Sequence, residues 1–393
     1  MVKSMNPNIK ALYQIAGSHE RTIIGLMSGT SLDGLDIAIC KISGSGSHTK
    51  LSVTHYTTIP YTEDFKTAIR KIFSIKAVDL EAVTLLHAHL ARVHATMVLS
   101  ALESWHLPTT SIDLIASHGQ TIYHAPKFLH PTSEFGNATL QIGDGDILSA
   151  ATGIITLSDF RQKHISAGGE GAPLALFGDT ILFSSATENR ILLNMGGIAN
   201  FTYLPAGQTT NIISTDVGPA NTLIDGYVKA NYPGLSYDAN GEIANTGIIN
   251  EAFINEVVAH PFFSAGFPKT IGPELFNLDF IADALKNAGI VSMAHQDMVA
   301  SLSYITARVI ADGIIKVVGD ATKNMVIYAS GGGIHNAYII QQLQNMCPGA
   351  SFKNLETLGV HPDAKEAVLF AVLANEALAG SPTLSMGKIS FPQ

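Results

Sequence analysis

Cysteine is nearly missing from this chain. Among 393 residues, Cys40 and Cys347 are the two present. They lie far apart and in no CxxC spacing, which excludes a disulfide scaffold or a zinc ribbon and points to a reducing compartment. Charge is sparse as well. Asp, Glu, Lys and Arg make up 14% of the residues, where about 25% is usual. Acidic side chains number 32 and basic ones 23, for a net charge of −9. No cluster of Lys and Arg occurs, so the groups that would neutralise a nucleic-acid backbone or an anionic membrane surface are missing. No apolar run approaches the ~18 residues of a membrane span, and the N-terminal stretch lacks the apolar core of a signal peptide. The cytoplasm is the expected location, with neither nucleic acid nor membrane as partner; a homodimer is compatible with the sequence.

Glycine, by contrast, is abundant, at 35 residues, and the length suffices for two or three domains of ~150 residues each. Residues 1–21 are polar and read as a loose N-terminal extension. From Thr22 the pattern is an apolar strand to Met27, a small-residue turn from Ser28 to Gly34, and a second strand from Leu35 to Ile42, which is the grammar of a β-hairpin. A third strand at Leu51 to Ile59, helical periodicity at Glu63 to Phe73 and Asp79 to Trp105, and a short strand at Ile112 to Ala116 ending in Ser117, His118 and Gly119 follow. The hairpin then recurs as Ile191 to Met195, Gly196 and Gly197, and Ile198 to Leu204. Setting Met27 over Met195 aligns the two at an offset of 168 residues, a spacing that suits a duplicated domain rather than a solenoid repeat of ~20–50 residues. Helical patterns at Asn277 to Asn287 and His295 to Val318 precede a strand at Met325 to Ala329, which runs into Gly331, Gly332 and Gly333. The last helix opens at Pro362 and Asp363. The expected organisation is α/β, with an extension 1–21, a first lobe 22–165 joined by the C-terminal segment 362–393, and a second lobe 166–361.

Glycine lets a backbone approach an anion closely and turn its N–H groups inward, so repeated glycine turns at strand ends suggest phosphate binding. No GxxxxGK[ST] occurs, and the run from Gly331 to Asn336 lacks the third glycine of a dinucleotide fingerprint. What remains is three turns that together suit a nucleotide. The first comprises Gly29, Thr30, Ser31, Leu32, Asp33, Gly34, Leu35 and Asp36; the second is Gly196 and Gly197; the third is Gly331, Gly332 and Gly333, ahead of a helix N-terminus. Asp33 and Asp36 admit two readings, positioning of Mg²⁺ or phosphate and stabilisation of the turn itself. His87, His89 and His94, on one expected helix, form no recognisable metal constellation.

The segments Gly25-Leu-Met-Ser-Gly-Thr-Ser-Leu-Asp-Gly34, Ser117-His-Gly-Gln-Thr121, Gln141-Ile-Gly-Asp144, Asp159-Phe-Arg161, Ala167-Gly-Gly-Glu-Gly-Ala-Pro173, Asn194-Met-Gly-Gly-Ile-Ala-Asn200, Asp216-Val-Gly-Pro219 and Ser330-Gly-Gly-Gly333 resemble those of the anhydro-N-acetylmuramic acid kinases, in the same order. The resemblance implies a two-lobed, actin-like ATPase fold of duplicated ribonuclease-H-like domains around a central cleft. It also implies an enzyme of peptidoglycan recycling that uses ATP, Mg²⁺ and water to open the 1,6-anhydro ring of an amino sugar while phosphorylating O6. On that resemblance Asp159 is the base that activates water. Glu366, His118 and Gln120 are candidate sugar contacts. Arg161 either orients the substrate's carboxylate or holds Asp159. Many members of the superfamily carry an acidic residue where Asn194 stands, which moves metal positioning onto Asp33, Asp36 or Asp216. Two other readings of the residues are an ATP-independent glycoside hydrolase using Asp159 and Glu366, and a non-catalytic nucleotide-dependent sensor.

Overall fold

A computed structural model describes residues 5–29, 31–127, 130, 132, 134–172, 174–208, 210–271, 275–319, 324–380 and 386–393; Thr30 of the first glycine turn lies outside the described residues. The chain divides into two compact units, Met1–Leu182 with Gly359–Gln393, and Phe183–Leu358. The described strands are β1 (Glu20–Ser28), β2 (Gly34–Ser43), β3 (Lys50–Pro60), β4 (Leu114–Ala125), β5 (Ala138–Ile142), β6 (Thr156–Ser158), β7 (Asn189–Met195), β8 (Ile198–Leu204), β9 (Ile213–Pro219), β10 (Met325–Ser330), β11 (Ala350–Asn354) and β12 (Lys388–Ser390).

In the first unit the sheet runs β12-β6-β4-β1-β2-β3, with β5 paired to β4. β1, β2 and β3 are antiparallel, while β1–β4 and β4–β6 are parallel. The second unit repeats this order as β11-β10-β7-β8-β9, again with three antiparallel strands and then two parallel additions. The duplication expected from the two glycine hairpins is therefore a duplication of whole sheets.

Side chains alternate across a strand, and β1 uses both faces. Ile24 and Leu26 join the core cluster that contains Leu90, Ala95 and Val98 of the helix Leu80–Ser104. On the other face a Cβ on Gly25 would come within 1.8 Å of the Ala367 carbonyl oxygen, so this glycine lets the helix Lys365–Ala379 lie directly on the strand. In the second unit the helix His295–Val318 is long and apolar enough to span a membrane by length and composition, but 78% of its apolar stretch is buried, as a core helix requires.

Three sequence expectations change. Residues 1–21 are not irregular throughout: Pro7–Gly17 form a helix whose first N–H groups are taken by the Asn6 side chain. Buried Arg21 holds its last turn, through Nε to the Ile15 carbonyl (2.9 Å) and Nη2 to the Ala16 carbonyl (2.6 Å), while Nη1 reaches Asn375 Oδ1 (3.1 Å). The strand expected to end near Ala116 continues as β4 through Ala125, so His118 and Gln120 are interior to it. The first unit also extends past residue 165 to Leu182. Its helix Ala175–Phe183 is tied to Lys365–Ala379 by the Asp179–Lys365 ion pair (2.8 Å) and by the close approach of Gly178 to Leu369.

Candidate active site

Open α/β sheets bind ligands beyond the carboxyl ends of their parallel strands. In both units glycine turns occupy that end, after β1 at Ser28, after β7 at Met195 and after β10 at Ser330.

The turn after β1 is built from inside. Leu32 takes a positive φ of 56° and buries its side chain to 3% exposure. Leu35 is fully buried in β2, so both can offer a nucleotide only backbone groups. Gly34 answers to packing, since a Cβ there would lie 2.4 Å from the Ile59 carbonyl oxygen. Gly29 has no such contact: its missing side chain would face open space apart from Ser31 Oγ at 3.5 Å. Exposed Asp33 accepts from Ser31 Oγ (2.8 Å) and from the Gly34 N–H (3.0 Å), the turn-stabilising role. Asp36 differs. Its Oδ1 accepts from Thr58 (2.5 Å) and Tyr56 (3.3 Å). Burial pushes its carboxyl above the ordinary range; those two donors oppose the shift, and the charges of Asp33 and Asp363 add to it. No group of three or more His, Cys, Asp or Glu side chains poised for a metal exists among the described residues.

Asp159 follows β6 and opens the helix Phe160–Ser166 in a left-handed conformation, φ 58° and ψ 39°. For a non-glycine residue this costs about 1–2 kcal/mol. A helix-capping Asp would return about 1 kcal/mol, yet this carboxylate accepts no capping bond. Its Oδ2 instead accepts from Lys388 Nζ on β12 at 2.8 Å. Arg161 turns elsewhere, donating through Nε to His118 Nε2 (2.8 Å) and through Nη1 to the Gly171 carbonyl (2.9 Å). His118 is 4% exposed and stands against the Phe370 ring at 4.9 Å. Burial, with the Arg161 charge second, brings its pKa down to about 3, which keeps it a neutral acceptor for Arg161. Glu366, on the first turn of Lys365–Ala379, has its carboxyl raised by desolvation, an effect the Arg161 charge opposes. The first unit thus gathers His118, Arg161 and Glu366, with Asp159 two residues from Arg161 and held by Lys388. Gln120 is fully buried, its oxygen on Ser28 and its nitrogen on the Gly29 carbonyl, so it supports the glycine turn.

In the second unit the two remaining turns meet. Gly331 has φ 82°, and a Cβ on it would come within 2.7 Å of Asn194 Oδ1 and of the Met195 carbonyl. Gly333 similarly approaches the Met195 side chain, and Gly197 approaches Thr222. Gly196 and Gly332 remain open, with no Cβ contact under 3.6 Å. The helix Asn221–Asn231 begins against the second turn: the Asn221 N–H donates to the Gly196 carbonyl (3.0 Å), and its Nδ2 donates to the Met195 carbonyl (3.1 Å). Beside them lies a cavity of about 490 Å³ lined by residues including Asn221, Asp225, Tyr237, Gly332, His335 and Asn336. Asp225 is pushed up to about 6 there, by burial first and by the Asp238 charge second. Asp216, the third candidate for a metal, accepts the Ile271 N–H at 2.9 Å; burial raises its carboxyl and that hydrogen bond opposes the shift. Lys388, Asp225 and Tyr237 carry no local motif, and the sequence offered no signal for them.

Two β-sheet units of like topology, each with glycine turns at the carboxyl ends of its parallel strands, define an α/β protein with a duplicated sheet. A family model described as anhydro-N-acetylmuramic acid kinase matches residues 21–387. The chain is 50% identical over 400 residues to the anhydro-N-acetylmuramic acid kinase of Pseudoalteromonas translucida (strain TAC 125), covering 98% of this chain and all of that one. It is 48% identical over 404 residues to that of Pseudoalteromonas atlantica (strain T6c / ATCC BAA-1087), covering 99% of this chain and all of that one. A third similar protein, from Caldanaerobacter subterraneus subsp. tengcongensis, is 36% identical over 372 residues and is covered, like this chain, to 94%. The chain belongs to the anhydro-N-acetylmuramic acid kinase family. It is an ATP-using enzyme, and the hydrolase and sensor readings fall away.

Proposed function

We propose that this chain opens 1,6-anhydro-N-acetylmuramic acid with Asp159 as the base, in the recycling of peptidoglycan in the cytoplasm. The observation that carries the base assignment is the Asp159 conformation: a strained carboxylate that forgoes capping its own helix. Strain of this kind is retained where position matters more than stability. With Oδ2 on Lys388, Oδ1 is left to take a proton from water.

Water's oxygen bonds to the anomeric carbon as its proton passes to Asp159, and the bond from that carbon to O6 breaks. O6 takes the γ-phosphoryl group, and ADP leaves. Arg161, with two donors committed to His118 and Gly171, presents its remaining N–H groups to the sugar's lactyl carboxylate. Glu366 and His118 line the same subsite. In the first unit, the open backbone at Gly29 receives phosphate oxygens. In the second unit, Gly196 and Gly332 offer a like open backbone, with the 490 Å³ cavity beside Gly332. Asp36, with Asp33 beside it, would hold Mg²⁺, whose charge lowers the cost of charge building on the transferred group.

The test is product mass from the anhydrosugar, ATP and ¹⁸O-labelled water. The expected product carries one phosphate and one ¹⁸O on the anomeric carbon. A product without either label, or turnover when ATP is omitted, overturns the reading.

A further inference from the structure

The first glycine turn is held by a buried chain of hydrogen bonds that starts on the long helix Leu80–Ser104. His94 Nε2 lies 2.8 Å from the Tyr61 hydroxyl, which lies 2.8 Å from Ser28 Oγ, which lies 2.5 Å from Gln120 Oε1. Gln120 Nε2 reaches the Gly29 carbonyl at 3.2 Å. All four side chains are buried: His94 to 1% exposure, Tyr61 to 4%, Ser28 to 1% and Gln120 completely.

Only one arrangement of protons satisfies the chain. Gln120 Nε2 faces two carbonyl oxygens, of Gly29 and Thr121, so its amide oxygen must face Ser28. Ser28 then donates its single proton to Gln120, Tyr61 donates to Ser28, and His94 donates to Tyr61 from Nε2. His94 accordingly carries a hydrogen on Nε2, and burial, which brings its pKa down to about 3, keeps the ring neutral. Pairing of β1 with β4 shifts by one residue between Leu26↔Ser117 and Ser28↔Gln120. Gly119, at φ 70°, supplies the extra residue, where a Cβ would strike the Ile142 carbonyl at 2.4 Å.

Tyr61 also grips the far end of the turn, because its backbone N–H donates to the Asp33 carbonyl at 3.1 Å. One residue therefore ties both ends of the loop 29–33, the start through its hydroxyl and Ser28, the end through its backbone. We infer that Tyr61 is a positioning residue for ATP, setting through Ser28 and Gln120 where the Gly29 turn presents its backbone. The inference rests on the reading of that turn as a phosphate site.

The experiment compares KM for ATP and for the anhydrosugar in the full-length enzyme and in Tyr61→Phe, Ser28→Ala and the double variant. Tyr61→Phe keeps the ring, its contact with Phe65 at 4.9 Å and the backbone tie, and removes only the hydroxyl. Expected is a rise of about tenfold in the KM for ATP, the scale of one buried hydrogen bond, with the KM for sugar changed less than about twofold. Links of one chain are not independent, so the double variant should be no worse than the single ones. An unchanged KM for ATP, a parallel rise in both KM values, or effects that multiply in the double variant overturn the inference. Should Tyr61→Phe not fold, Ser28→Ala carries the same comparison. Gly29→Val separates the two readings, since its side chain would enter open space. If that variant binds ATP normally, the phosphate reading of the turn fails; if it weakens ATP while Tyr61→Phe does not, only the positioning role fails.

Discussion

Lys388 Nζ donates to Asp159 Oδ2 across 2.8 Å, joining a C-terminal strand to the residue that follows its neighbour in the sheet. The strands β12 and β6 pair antiparallel with Lys388 opposite Ser158, so sheet register delivers the ammonium one residue short of the carboxylate. Lys388 is 66% exposed in its side chain, and such pairs contribute only about 0–1 kcal/mol to stability. Its value lies in orientation. Lys388→Met should therefore lower kcat about tenfold while leaving KM and the melting temperature nearly as they were. Lys388→Arg should recover most of the loss. Steady-state kinetics on both variants check this, and an undiminished kcat in the Met variant removes the role.

Replacing Asp159 by Asn keeps the shape and the left-handed conformation, which Asn tolerates as Asp does. It takes away the proton acceptor. Turnover should fall by about 10²–10⁴, the usual contribution of a general base, with ATP and sugar still bound as judged by calorimetry. Rates near the parent's would show that another group activates water.

The glycines separate by what surrounds them. Gly196→Val projects into open space, with neighbours no closer than 3.7 Å. It should weaken ATP binding without moving the melting temperature. Gly331→Ala must adopt φ 82° and meets Asn194 and Met195 at 2.7 Å, so it should lower the melting temperature as well. Thermal melts and nucleotide titrations on the pair decide; equal behaviour would show that both glycines serve the fold alone.

Asp225 sets a pH trend. Its pKa rises from 3.8 to about 6 on folding, through burial first and Asp238 second. Between those values the folded chain binds more protons than the unfolded one, so this group makes stability fall as pH rises through the window. Above about 6 the full cost is in place. Asp225→Asn should melt higher than the parent at about pH 7.5, and the gain should shrink towards about pH 4. A gain independent of pH would mean that the carboxylate's charge is not the cause.

The legible parts were those written in local patterns. The apolar strands and turn from Thr22 to Ile42, the glycine turns, and the helix from His295 to Val318 all follow from neighbours a few residues apart. The N-terminal helix was missed because its last turn depends on Arg21, and Arg21 depends on Asn375, distant in sequence. The motif singled out His118 and Gln120 as sugar contacts, but not the partners that bury Gln120 beneath the glycine turn. Gln120 faces Ser28 because a one-residue shift at Gly119 sets it there, and no local periodicity encodes a shift between two strands.

The amino-acid sequence determined, by itself, the glycine turns, the repeated hairpin and the aspartate after β6, because turn chemistry and hydrophobic period are properties of short segments. The tertiary structure decided which polar groups meet. Asp159 and Lys388 are 229 residues apart and come together only because β12 closes the sheet beside β6. Tyr61, His94, Ser28 and Gln120 form one chain only because a helix packs on two strands in one register. Pairing across such distances follows from the order of strands and the burial of whole faces, and neither is written in any single stretch of the chain.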